Sequence, residues 1–124
     1  QIEKLKSKFA DKRRGLMNLY LKELTGLEEI KFQKLDKNCY IIPHIFPIRI
    51  KNGKRDKIIK ILNENNIQTG LHYKPNHLLS KYKVNYNLEV TEKIYDEILT
   101  LPLHPGLKNQ DIKDITGILK KYLK

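Results

Sequence analysis

Two imidazoles and a phenol crowd one short run, Gln68-Thr69-Gly70-Leu71-His72-Tyr73-Lys74-Pro75-Asn76-His77. At neutral pH such groups suit hydrogen bonding to phosphate or hydroxyl oxygens, and Pro75 restricts the backbone that carries them. On residue chemistry alone a ligand-contacting loop and a plain surface loop both stay open. His44 and His104 lie elsewhere, the latter in Leu101-Pro102-Leu103-His104-Pro105. Four histidines without a nearby acidic cluster make a poor zinc set. Cys39, Ser7 and Ser80 lack the surroundings of an activated nucleophile. Gly53-Lys54 lacks both the glycine-rich run and the following hydroxyl of a phosphate loop.

The elements that must position these residues follow from periodicity. Ile2, Leu5, Phe9, Leu16, Leu19, Tyr20 and Leu24 recur near 3.6 residues and stop at Gly26, which predicts a long amphipathic helix. Gly15 weakens its middle by about 1 kcal/mol relative to Ala and marks a close helix contact or a slight bend. Glu29 to Leu35 alternates weakly, Asp36-Lys37-Asn38 is a turn, and Tyr40 to Ile50 is rich in strand formers. Pro43 and Pro47 lack amide donors, so this second strand is expected to be bulged or at an edge. Cys39 at its start is read as a buried, inert thiol.

Asn52-Gly53 closes the strand, and Lys54 to Asn65 places Ile58, Ile59, Ile61 and Leu62 on one side of a second helix. Ile67 to Leu71 reads as a short strand, followed by an irregular segment from His72 to Tyr86 with one helical turn near Leu78-Leu79. Thr91 is the expected cap of a third helix carrying Ile94, Tyr95, Ile98 and Leu99. Thr100 to Leu103 returns as a strand that Pro102 keeps from a central place. Asn109 is the expected cap of a last helix whose face is Ile112, Ile115, Leu119 and Tyr122. The order α-β-β-α-β-loop-α-β-α suits an α+β sandwich: a small antiparallel or mixed sheet with helices packed on one face.

With 124 residues, 40% of them hydrophobic, the chain is one ordinary domain. No apolar run spans a bilayer, and no signal core opens the sequence, so a soluble, cytoplasmic protein is expected. A single cysteine rules out an internal disulfide. Twenty-five Lys and Arg against fourteen Asp and Glu give a net charge of +11, which raises nucleic acid, a membrane surface or an anionic metabolite as partner. Around the first helix Lys4, Lys6, Lys8, Lys12, Arg13 and Arg14 fall on several faces without interleaved aromatics, which favours a solvated surface over a nucleic-acid groove. Gln1 opens directly into a helical pattern, as expected for a fragment of a longer polypeptide.

Ile67 to His77, the helix from Thr91-Glu92, and Leu101-Pro102-Leu103-His104-Pro105-Gly106-Leu107 together resemble the C-terminal part of the DegT/StrS-type sugar aminotransferases. Arg13-Arg14 with Tyr20 and Leu24, and Arg55-Asp56, resemble it too, so the likeness covers nearly the whole chain. The resemblance implies that residues 1–124 are the small C-terminal domain of a homodimeric enzyme that moves an amino group from glutamate to a nucleotide-linked keto sugar. It further implies that pyridoxal phosphate is held by an absent major domain, that no catalytic lysine lies here, and that His72, Tyr73 and His77 contact the substrate. Glu89, where the family often has proline, and the lysine- and asparagine-rich Lys81 to Asn87 depart from the pattern, so the sugar is not carried over. The alternative is a free-standing basic module that binds nucleic acid or an acidic partner.

Overall fold

The computed structural model describes residues 8–36, 38–82, 85 and 87–123; Ile2 and Leu5 of the predicted first helix, and the basic residues Lys4 and Lys6, lie outside them. Helix α1 (Ala10–Leu24) buries Leu16, Tyr20 and Leu24, one residue every fourth position, as an amphipathic helix must. Gly26 follows with φ +90°, the left-handed conformation that ends helices at least cost. No atom outside the helix approaches a Cβ built at Gly15, so this glycine marks no close helix contact.

Three strands form one antiparallel sheet in the order β1 (Ile30–Phe32), β2 (Phe46–Ile50), β3 (Ile98–Leu101). Ile30 pairs with Ile50, Ile48 with Leu99 and Phe46 with Leu101, so alternate positions of all three strands face the same side. Against that side pack α1, α2 (Arg55–Glu64) and α4 (Asn109–Tyr122), closing a core that includes Ile58, Leu62, Ile112, Ile115 and Leu119. The architecture is α+β.

The strand carrying Pro47 is central, against the expectation of an edge. The register shows how it is tolerated. Pro47 lies opposite Thr100, whose own N–H and C=O both turn away to Gly70, so this is a non-hydrogen-bonded pair and the missing donor faces β1. There β1 has already ended at Phe32, and no ladder bond is lost.

Strand β2 is also shorter than predicted. Residues 40–45 are irregular, and the turn at Asp36, where Oδ1 accepts the Asn38 amide at 2.8 Å, holds Cys39 on the surface. Cys39 is exposed, not buried. Asn52 and Gly53, at φ 64° and 66°, then form the tight turn into α2.

Of the predicted strand at Ile67 to Leu71 only a bridge remains, Gly70 exchanging two backbone bonds with Thr100 at 3.0 and 2.8 Å. Helix α3 (Glu89–Glu97) starts before Thr91 because Glu92, not the threonine, takes the leading amide, that of Leu88, at 3.1 Å. It also ends earlier than predicted, handing Ile98 and Leu99 to β3, which stops at Leu101 before Pro102. Helix α3 buries no residue fully; it is tied down by Arg49, whose Nη2 meets Glu97 at 2.6 Å, and by buried Arg55, whose Nη1 donates to the Tyr95 carbonyl at 2.8 Å. In α4 the Asp111 carboxylate accepts the Lys108 amide at 2.7 Å, so the predicted cap Asn109 sits inside the helix. Leu123, rather than the half-exposed Tyr122, completes its apolar face.

The stretch after β3 is anchored from below. Tyr20, fully buried and stacked on Phe46 at 4.8 Å, donates its hydroxyl to the Pro102 carbonyl at 3.0 Å. Burial, and then the negative charge of Asp111, push its phenol well above the usual tyrosine range.

Candidate functional site

The loop that starts at Gly70 is fastened to the sheet edge by the Thr100 bridge, and the chain then doubles back. His72 lays its ring over Gly70: a Cβ there would stand 2.5 Å from His72 Cε1, closer than any side chain tolerates. The ring's Nδ1 is 3.0 Å from the hydroxyl of Thr100, itself buried, which sets the ring plane and leaves Nε2 as the nitrogen not engaged by Thr100. When the hydroxyl donates, Nε2 carries the proton and is a donor; when it accepts, the neutral ring offers an acceptor.

Tyr73 stands edge-on to His72, ring centroids 4.8 Å apart and planes at 89°, with 75% of its surface exposed. After Pro75 the chain makes one 3₁₀ turn, Asn76–Leu78, which turns His77 the other way. Its Nε2 meets Glu92 Oε1 on α3 at 3.0 Å, and its side chain is only 8% exposed. That contact, followed by the Leu88 amide, holds the Glu92 carboxyl below the usual glutamate range. The structure thus brings His72 and Tyr73 together and places His77 apart, as the tie between the loop and α3.

Along the open edge of β3 runs a groove of about 780 Å³, a volume typical of small-molecule sites. His72 lines it; Tyr73 and His77 do not. Two histidines that the sequence offered only as poor metal ligands, His44 and His104, line it as well. So do Asp111 and Asp114, one helical turn apart on α4, which nothing in the sequence reading singled out. A pair of aspartates three apart on a helix is a common surface pattern; the only available signal was their closeness in sequence to Leu103-His104-Pro105. Among the described residues no group of three or more His, Cys, Asp or Glu is arranged to hold a metal ion.

The DegT/DnrJ/EryC1/StrS aminotransferase family model matches residues 1–120. The chain belongs to this family. It is 24% identical over 122 residues to the dTDP-4-dehydro-2,3,6-trideoxy-D-glucose 4-aminotransferase of Saccharopolyspora spinosa, covering 98% of this chain and 31% of that one. Over 82 residues it is 28% identical to the dTDP-3-amino-3,6-dideoxy-alpha-D-galactopyranose transaminase of Aneurinibacillus thermoaerophilus, covering 64% of this chain and 22% of that one. Its fold matches the aminotransferase TlmJ of Streptoalloteichus hindustanus with a TM-score of 0.90 at 24% identity, over 98% of this chain and 33% of that one. The chain therefore spans a third or less of the length of these relatives.

Family membership implies pyridoxal phosphate, and the groove can be tested for it. Joining that aldehyde needs a lysine amine, and its phosphate needs cations or free amides. Among the described residues no lysine or arginine lines the groove, whereas two carboxylates do. The groove residues do not fit the cofactor.

Proposed function

We propose that this chain is the small C-terminal domain of a pyridoxal-phosphate-dependent aminotransferase that moves an amino group from glutamate to a nucleotide-linked keto sugar. The observation that carries the proposal is the family match over residues 1–120. Two features support the division of labour. The chain spans a third or less of its relatives' length, and among the described residues no lysine lines the groove along β3. Cofactor chemistry accordingly belongs to a separate major domain, the parent acts as a homodimer in the cytoplasm, and this chain alone does not transaminate. A free-standing basic module gives way to family membership.

Within that enzyme the work of these residues is orientation. Thr100 fixes the His72 ring, so its other nitrogen meets a ligand oxygen without first losing rotational freedom. Tyr73 presents a phenol beside it on the exposed side. His77, held by Glu92, fixes the far end of the loop.

In the full-length enzyme, His72→Ala and Tyr73→Ala should each lower kcat/KM for the nucleotide-sugar about tenfold, the scale of one hydrogen bond, while cofactor loading stays intact. Unchanged kinetics in both variants would remove the loop from the substrate site. A stoichiometric, catalytically competent adduct of pyridoxal phosphate at one lysine of the isolated chain would overturn the division of labour.

A further inference from the structure

Strand β1 stops beside Pro47, and around that open place lie two cavities of opposite character. One is a pocket of about 210 Å³ between α1 and the irregular segment before β2. Met17, Leu21, Leu35, Ile41 and Phe46 are among its walls, and of its described lining only Gln33 and His44 are polar. The other is a groove of about 450 Å³ lined by Lys31, Lys34 and Arg49. Phe32, Gln33 and Pro47 line both, so the apolar pocket and the cationic groove adjoin at the end of β1.

Strand alternation turns Lys31 and Arg49 away from the core. The register sets them directly opposite each other, and like charges so placed destabilise a sheet. Glu97 offsets part of this. Its Oε2 accepts from Nε of Arg49 at 2.9 Å and from Nη2 at 2.6 Å, with Nη1 outside that pair. Lys34 brings a third cation to the same groove. A lysine on an edge strand commonly guards against stray pairing, and Lys31 alone would call for no other reading. Arg49 lies on the central strand, where that role does not exist, and Ile94 and Ile98 line the groove with it.

An anion seated between Lys31 and Arg49 replaces their repulsion with two charge-assisted contacts. An alkyl chain attached to it can pass Phe32 and Pro47 and displace water from the apolar pocket. We propose that the two cavities together bind a single-chain amphiphile, its carboxylate or phosphate head held by Lys31, Lys34 and Arg49 and its alkyl chain against Met17, Leu21, Leu35 and Ile41. This site goes beyond the aminotransferase reading and does not rest on it.

The test titrates the ¹⁵N-labelled 124-residue chain at fixed ionic strength with octanoate, octyl phosphate, octanol and acetate, following backbone amide shifts. Octanoate and octyl phosphate carry the two heads on one chain length, octanol lacks the charge, and acetate lacks the tail. Both amphiphiles should move Phe32, Gln33, Phe46 and Arg49 with dissociation constants on the order of millimolar, and the tighter of them identifies the head. Octanol and acetate should each bind about tenfold more weakly or less. Lys31→Gln and Leu35→Gln, both at exposed positions, should each weaken octanoate about tenfold, one through the head and the other through the tail. Lys60→Gln, the same loss of charge at an exposed position of α2, should leave the affinity unchanged. Absence of shifts at these amides with either amphiphile, octanol or acetate binding as tightly as octanoate, or Lys60→Gln weakening binding as much as Lys31→Gln, would overturn the proposal.

Discussion

Replacing Gly70 by Ala separates positioning of His72 from stability of the fold. The added Cβ would stand 2.5 Å from His72 Cε1 and 3.1 Å from Nδ1, whereas carbon atoms in contact rest about 3.5–4.0 Å apart. The ring must retreat by roughly 1 Å or more, which carries the 3.0 Å contact with Thr100 Oγ1 past the range of a hydrogen bond. Losing that bond costs about 0.5–1.5 kcal/mol. Opposing it, Gly70 lies outside the positive-φ region, so Ala restricts the unfolded chain and returns about 0.4–1 kcal/mol. The two nearly cancel: the melting temperature should move by only a few degrees, while the His72 ring resonances shift strongly. In the full-length enzyme kcat/KM for the nucleotide-sugar should fall about as far as in His72→Ala. Thr100→Val removes the same bond from the other side, so the double variant should be no worse than the worse single one. Unmoved His72 resonances in Gly70→Ala, or fully additive effects in the pair, would refute this account of how the ring is held.

Tyr20→Phe leaves the Pro102 carbonyl without its partner and should cost about 1–2 kcal/mol in denaturant unfolding, with the fold otherwise intact. Gly15→Ala and Gly117→Ala, both in helices with open space at the Cβ, should each stabilise by about 0.5–1 kcal/mol, read as a higher melting temperature. The Glu92 carboxyl is depressed in the folded state by His77 and the Leu88 amide. Its stabilisation is therefore present above the ordinary glutamate range near pH ~4.3 and is lost as pH falls through the lower, folded value. Stability of Glu92→Gln, followed by denaturant titration at a series of acid pH values, should fall less steeply across that window.

What was legible in the sequence is what repeats along it. The 3.6-residue spacing of Leu16, Tyr20 and Leu24, or of Ile112, Ile115 and Leu119, states which face is apolar, and those faces are the core. Phe46, Ile48 and Ile50 alternate in the same way, and theirs is the buried side of β2. Single-residue rules did less well, because partners distant in sequence decide them. Pro47 argued for an edge, yet the pairing phase fixed by Gly70 and Thr100 turns its missing donor toward the end of a short strand. Thr91 and Asn109 have suitable side chains for caps, but Glu92 and Asp111, one and two residues further on, reach the leading amides with full charge.

The site shows the same limit more sharply. His72, Tyr73 and His77 look equivalent when read in line, since nothing local distinguishes one imidazole from the other. Their environments differ because Thr100 lies on the strand beside Gly70 and Glu92 lies on the helix before that strand. One ring thereby lines a groove, and the other is turned onto a carboxylate. The groove itself is assembled from the Asn65–Gly70 segment, the exit of β3, His44 and α4. It becomes visible only once β3 pairs with Gly70 on one side and Tyr20 holds Pro102 on the other. Residue types in one short loop announced that ligand chemistry was plausible; the pairing of distant segments determines which of those residues can take part in it.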